Sequence, residues 1–193
     1  MSKVMAIVEG DGEVGAVPIL LRRIAEGLGR FDIEVPSPIR VRRDRFLRRD
    51  EEFRRMLLLA DAKAQGGTIL ILLDADDDCP VTLAAEVRSR ALPLATTTRV
   101  VVVIANREYE AWFLAAAESI AGRRGLNAEL EAPANVDQVR DAKGWLSQRV
   151  HRGKYHEVTD QPALTAVFDM AVAKQRSRSF RKLTEECALA FMP

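Results

Sequence analysis

The chain has 193 residues, 48% apolar and 30% charged, with a net charge of +1, which is ordinary for one soluble globular domain with or without an appendage. Its longest apolar runs, TILILL and VVVVIA, are far too short for a bilayer, and MSKVMAIVEG lacks the apolar core of a signal peptide. Cys79 and Cys187 form no C-x-x-C pair, so neither membrane nor disulfide scaffold is expected, and a reducing cytoplasm is.

In chain order, KVMAIV reads as a first strand and leads into a helix with Ile19, Leu20, Ile24 and Leu28 inward, Pro18 being tolerable only in its first turn. FDIEV and IRV read as a second strand broken at PSP. A helix then starts with Asp50 as N-cap and carries the stripe Phe53, Met56, Leu57, Ala60 and Ala64. The unbroken apolarity of TILILL predicts a buried strand, VTLAAEVRSRAL a short helix, and RVVVVIA a further strand. A long helix is expected from about Arg107, with Tyr109, Trp112, Phe113, Ala116 and Ile120 on one face and Asn106 as its cap. Further helices are expected near 137–149, 162–173 and 179–191, with Pro162 in a first turn and Leu164, Val167, Phe168 and Ala171 facing the core. Alternating strands and helices predict an α/β fold with a mainly parallel sheet flanked by helices. Residues 1–125 are expected to form its core, and residues 126–193 a helical C-terminal extension packed on it.

Charge is unevenly placed. Residues 40–49, RVRRDRFLRR, hold six arginines and one aspartate, and residues 174–182, KQRSRSFRK, hold five basic residues and no acid. Between them stands DADDD at 74–78. Basic stretches beside an acidic focus suit a polyanion site whose chemistry needs a metal, while either run alone also reads as a solvated face. The residues expected to meet nucleic acid are Arg42, Arg43 and Arg45, exposed on a strand end or loop, with Arg178 and Lys182 on the last helix.

The stretch IVEGDGEVGA places Gly10, Gly12 and Gly15 at the spacing of a dinucleotide-binding turn. Glu9, Asp11 and Glu13 would set like charge against a pyrophosphate, and PSP stands where a ribose-binding acid belongs. No G-K-[ST] follows, which excludes a P-loop. The carboxylates point instead to a cation. In LLDADDD, Asp74 and Asp76 are two apart at a strand end, which predicts that both project from one face, with Asp77 and Asp78 following in the loop. If that strand neighbours the first, Glu9 reaches the same edge. Clustered carboxylates repel and take up protons unless a cation compensates, and an all-oxygen set suits Mg2+ or Mn2+. The alternative is a polar strand end leading into an acidic helix start.

Glu108 and Glu110 follow the last strand at that edge, either as site members or as acids suited to a helix's first turn. Lys143 stands beside Gly144 in a predicted helix, where glycine implies a close backbone approach. It could meet a phosphate, pair with the aspartates, or be a surface lysine. His151 and His156 lack ligand spacing and read as loop residues.

The strand ending in Glu9-Gly10 and the later strand ending in Asp74-x-Asp76 resemble the Toprim domain of primases, topoisomerases and OLD-family nucleases. That resemblance implies Glu9 in proton transfer, Asp74 and Asp76 as magnesium ligands, and Asp78 as a third; Glu13 and Lys143 complete the catalytic candidates, and Gly10 those of the loop. The whole chain is more similar still to a bacterial Toprim-like family, domain of unknown function 4276, through VEGDGE, LLDADDD, ANREYEAWFLA, AKGWL and DQPALTAVFDM. Its implied activity is magnesium-dependent nuclease or other phosphodiester chemistry on nucleic acid, in a bacterial defence or DNA-repair setting. The alternatives are a non-catalytic Toprim-like subunit working with an ATPase and, ranked last, a receiver-like domain with Asp74 as phosphoryl acceptor.

Overall fold

The computed structural model describes residues 2–192. Five strands form one parallel sheet: β1 (Ser2–Val8), β2 (Ile33–Glu34), β3 (Ile39–Arg40), β4 (Thr68–Asp74) and β5 (Arg99–Ala105). The order is β2-β1-β4-β5, and β3 also pairs with β1 beyond β2, so the strand broken at Pro36–Pro38 rejoins the same neighbour. The central strands are buried on both faces, which is why they read as continuous apolar runs.

Alternate residues feed two cores. Met5, Ile7, Ile69, Ile71, Leu73, Val102 and Ile104 pack with α2 (Arg43–Arg48), α3 (Asp50–Ala64) and α4 (Pro80–Ala91). Val4, Ala6, Val8, Leu70, Leu72, Val101 and Val103 face the other way. Their partners are α1 (Asp11–Gly27), α5 (Ala111–Ala115), α6 (Ala142–Ser147), α7 (Glu157–Thr165), α8 (Met170–Arg176) and α9 (Arg178–Phe191). The fold is α/β and Rossmann-like in arrangement, with the C-terminal helices laid on one face of the sheet. Among the described residues no helix is long and apolar enough to cross a membrane.

Several expected elements differ. The basic run at 40–49 is a short helix, α2, rather than a strand end or loop. Arg49 rather than Asp50 is the N-cap of α3, and Met56 is only partly buried. Pro18 lies in the middle of α1, and Leu28 is exposed at its end. The long helix from Arg107 is absent. Arg107 has φ of 65°, which breaks the chain before α5, and a 3-10 turn at Ala117–Ile120 follows. Every residue of α5 is buried, so this segment is enclosed all round and its length is set by packing. The region 137–149 holds a 3-10 turn at Val136–Gln138 and then α6, and 162–173 is split between α7 and α8. The split is Asp169, which caps α8 by accepting from the Ala171 and Val172 amides. Pro162 therefore sits inside α7, and Val167 and Ala171 face solvent.

Candidate active site

Parallel pairing of β1 with β4 brings Glu9 and Asp74 to the same carboxyl edge of the sheet. Asp74 ends β4 almost fully buried, and its Oδ1 accepts from the Tyr109 amide at 2.8 Å. Strand geometry stops there. Asp76 has φ of 50°, a left-handed turn position, so strand alternation does not place it beside Asp74. It lies in solvent with Asp77 and Asp78.

Arg43 sits among these acids. Its guanidinium is 4.0 Å from Glu9, 3.6 Å from Asp76 and 2.5 Å from Asp78, and it donates to the carbonyls of Asp74 and Ala75. With its side chain only 16% exposed, Arg43 is part of the site, not an exposed charge on a loop. Arg42 and Arg45 are exposed nearby on the same segment. Arg107 pairs with Asp77 at 2.6 Å.

Behind Glu9 lies a buried carboxyl cluster. Glu13, in the first turn of α1, accepts from the Glu9 and Gly10 amides at 2.9 Å each, half of a capping box. Burial, opposed by those amides and reinforced by the charges of Glu9 and Glu110, pushes Glu13 up to about 8. Glu110 is fully buried; its Oε1 accepts from Tyr155 at 2.9 Å and Gln161 at 3.0 Å. Burial raises it to about 7, against the pull of Lys143. Burial also raises Glu9, then Asp76 adds to it, and Asp74 is raised well above the carboxylate range by burial and by Glu13, Glu110 and Glu9.

Lys143 supplies the positive charge here. Its Nζ is 3.3 Å from Glu157 and 3.9 Å from Glu110. Burial lowers its pKa, but Glu110, Asp74, Glu157 and Glu108 together outweigh that and raise it. Glu108 does not serve its own helix; it accepts from the Lys143 amide at the start of α6. Gly144 fits because Asp141, the N-cap of α6, accepts from its amide at 2.7 Å and leaves no room for a Cβ. Asn106 caps nothing: its Nδ2 donates to Asp137. Arg178 and Lys182 stand apart from the carboxyls, along a groove beside β5.

The glycine pattern has a packing cause. A Cβ at Gly12 would lie 2.5 Å from Gln161 Oε1 and 2.6 Å from the Glu157 carbonyl, and one at Gly15 would lie 2.9 Å from Pro162. The glycines let α1 and α7 touch, and the Gly12 amide donates to Glu157. Tyr155, Glu157 and Gln161 were not expected at the site from sequence. The DQPALTAVFDM segment was a signal for Gln161 alone; nothing in the sequence marked Tyr155 or Glu157. All five of the segments named above send a residue here: Glu9, Asp74, Glu110, Lys143 and Gln161.

A hard cation suits these donors by chemistry, since all are oxygens and Glu9 Oε2 is buried without a hydrogen-bond partner. With Arg43 lying among these acids, no three His, Cys, Asp or Glu side chains among the described residues are grouped to hold a metal ion. Arg43 carries the compensating charge in its place.

The family described as a domain of unknown function, DUF4276, matches residues 8–187. No curated protein and no solved structure matches the chain.

Proposed function

The chain belongs to the DUF4276 family, and from its site we propose that it processes phosphodiester bonds of nucleic acid with Mg2+ or Mn2+, most simply as a nuclease. One observation carries this reading: Glu9 and Asp74 meet at the carboxyl edge of adjacent parallel strands, both raised in pKa by burial and by neighbouring carboxyls. Ligands in open α/β sheets bind at that edge. Glu9, Asp74 and Asp76 would hold the ion, with Asp78 beside them, once Arg43 gives up its place. Bound there, the metal would supply charge against the phosphate and a more acidic water. Glu9 would move the proton from its place at the strand end beside Asp74. Lys143 and Glu110 would hold the charge balance behind it, and Arg42 and Arg45 would steer the backbone. The likeness to Toprim domains rests on the same Glu9 and Asp74-x-Asp76 pattern. A cytoplasmic setting suits two free cysteines.

Incubation with single- and double-stranded DNA and RNA, with Mg2+, Mn2+ or chelator, tests the proposal. Metal-dependent cleavage that Asp74→Asn and Asp76→Ala both abolish is expected, and absence of cleavage on all four substrates refutes catalysis. The second reading, a non-catalytic subunit partnered by an ATPase, is favoured by Arg43, which already neutralises Glu9, Asp76 and Asp78.

A further inference from the structure

β5 is an edge strand, and its free side has defined hydrogen-bonding groups. The Arg99 amide donates to the Gly67 carbonyl and the Ala105 carbonyl accepts from Ala75, so odd-numbered residues of β5 face β4. Strand alternation then turns the amides and carbonyls of Val102 and Ile104 outward. Asn106 agrees with this phase: its amide faces out and is taken by Ser179 Oγ at 3.1 Å. At the other end, Arg99 reaches the Leu189 carbonyl. The stretch between these two clamps finds no partner among the described residues.

This edge is the floor of a groove of about 550 Å³ between α4 and α9. Its α4 wall is apolar, with Pro80, Ala84 and Val81, the last 78% exposed. Its rim is basic. Arg88 and Arg178 are exposed and form no ion pair among the described residues, while Lys182 pairs with Glu186. Proteins ordinarily blunt or cover an unpaired edge, and a walled edge of this kind accepts an added strand.

We propose that this groove binds an extended acidic segment of a partner protein, which adds as a strand to β5 and sets its carboxylates against Arg88 and Arg178. Backbone bonds to Val102 and Ile104 supply affinity, and the two unpaired arginines select charge. The inference is independent of catalysis at the carboxyl cluster.

A short peptide of alternating Val and Glu is the probe, read by amide hydrogen exchange of the intact protein. At peptide concentrations about ten times Kd, exchange of the Val102 and Ile104 amides should slow about tenfold. Arg88→Glu with Arg178→Glu should abolish that protection and transfer it to a peptide of alternating Val and Lys. The Val-Glu peptide N-methylated at alternate residues should give none. No slowing at millimolar peptide, equal slowing by the Val-Lys or N-methylated peptide on the unmodified protein, or protection by a single-stranded oligonucleotide instead would each overturn the proposal.

Discussion

Replacing Glu110 by glutamine isolates the cost of the buried carboxyl cluster. Burial raises Glu110 from 4.5 to about 7, so between those values the folded chain holds a proton that the unfolded chain has released. Its stabilising contribution is therefore fully present below 4.5 and is lost as pH rises through about 7. At about 1.4 kcal/mol per pH unit, that window amounts to about 3 kcal/mol. Glutamine keeps an oxygen to accept from Tyr155 and Gln161 but does not titrate. The Glu110→Gln protein should gain about 3 kcal/mol relative to the parent between pH 4.5 and 8. For a chain of this size that corresponds to roughly 6–12 °C in relative Tm, at 2–4 °C per kcal/mol. Thermal denaturation of both proteins across that range measures it directly. Glu13 and Asp74 titrate in both proteins, and because the charge of Glu110 raises each of them, the difference between the curves reports Glu110 together with that coupling. Melting temperatures that run parallel at every pH would refute the reasoning.

Arg43→Ala should bind Mg2+ more tightly than the parent by at least about tenfold, because a single charge near 4 Å is worth about 4 kcal/mol at an effective dielectric of 20. Calorimetric titration giving equal or weaker affinity would show that Arg43 does not occupy the cation's place. Gly12→Ala should destabilise by about 1–3 kcal/mol despite alanine's better helix propensity, since the Glu157 carbonyl cannot move aside. Gly27→Ala, with nothing within 4 Å, should not, and a Gly12→Ala protein as stable as the parent would remove the packing explanation.

The sheet was legible because its strands announce themselves. TILILL and RVVVVIA are apolar without interruption, as strands covered on both faces must be, and Glu9 and Asp74 follow from where such strands end. The turn after Asp74 was not legible. Asp-x-Asp on an extended strand shares a face, but a left-handed Asp76 obeys no such rule, and nothing in DADDD marks where the strand stops. Residues 109–117 misled for a different reason. Tyr109, Trp112 and Phe113 have helical spacing, yet this segment is buried on every side, and short turns satisfy its backbone where a long helix was expected. Arg43 was seen as a basic residue among six. Its pairing with three acids depends on a helix that no amphipathic stripe reveals.

The C-terminal extension is a component of the site and not an addition to it. Glu110 belongs to the first 125 residues, but the groups that make its burial tolerable, Tyr155, Gln161 and Lys143, all come from beyond them. Without those donors a fully buried carboxylate would keep its desolvation cost with nothing to offset it. The same helices cover the apolar face of β1, β4 and β5, with Leu164, Phe168, Phe180 and Leu183 in one core with Val8, Leu72 and Val103. Removing them would expose that face and strand the charge together, so the sheet and the extension must fold as one cooperative unit. The three glycines at the start of α1 are where that dependence is written into the sequence. Gly12 and Gly15 are small because α7 lies against them, and Gly10 because a Cβ there would lie 2.6 Å from Glu157 Oε1 of the same helix. A pattern that resembles a phosphate-binding turn is here the seam along which the second part of the chain closes over the first.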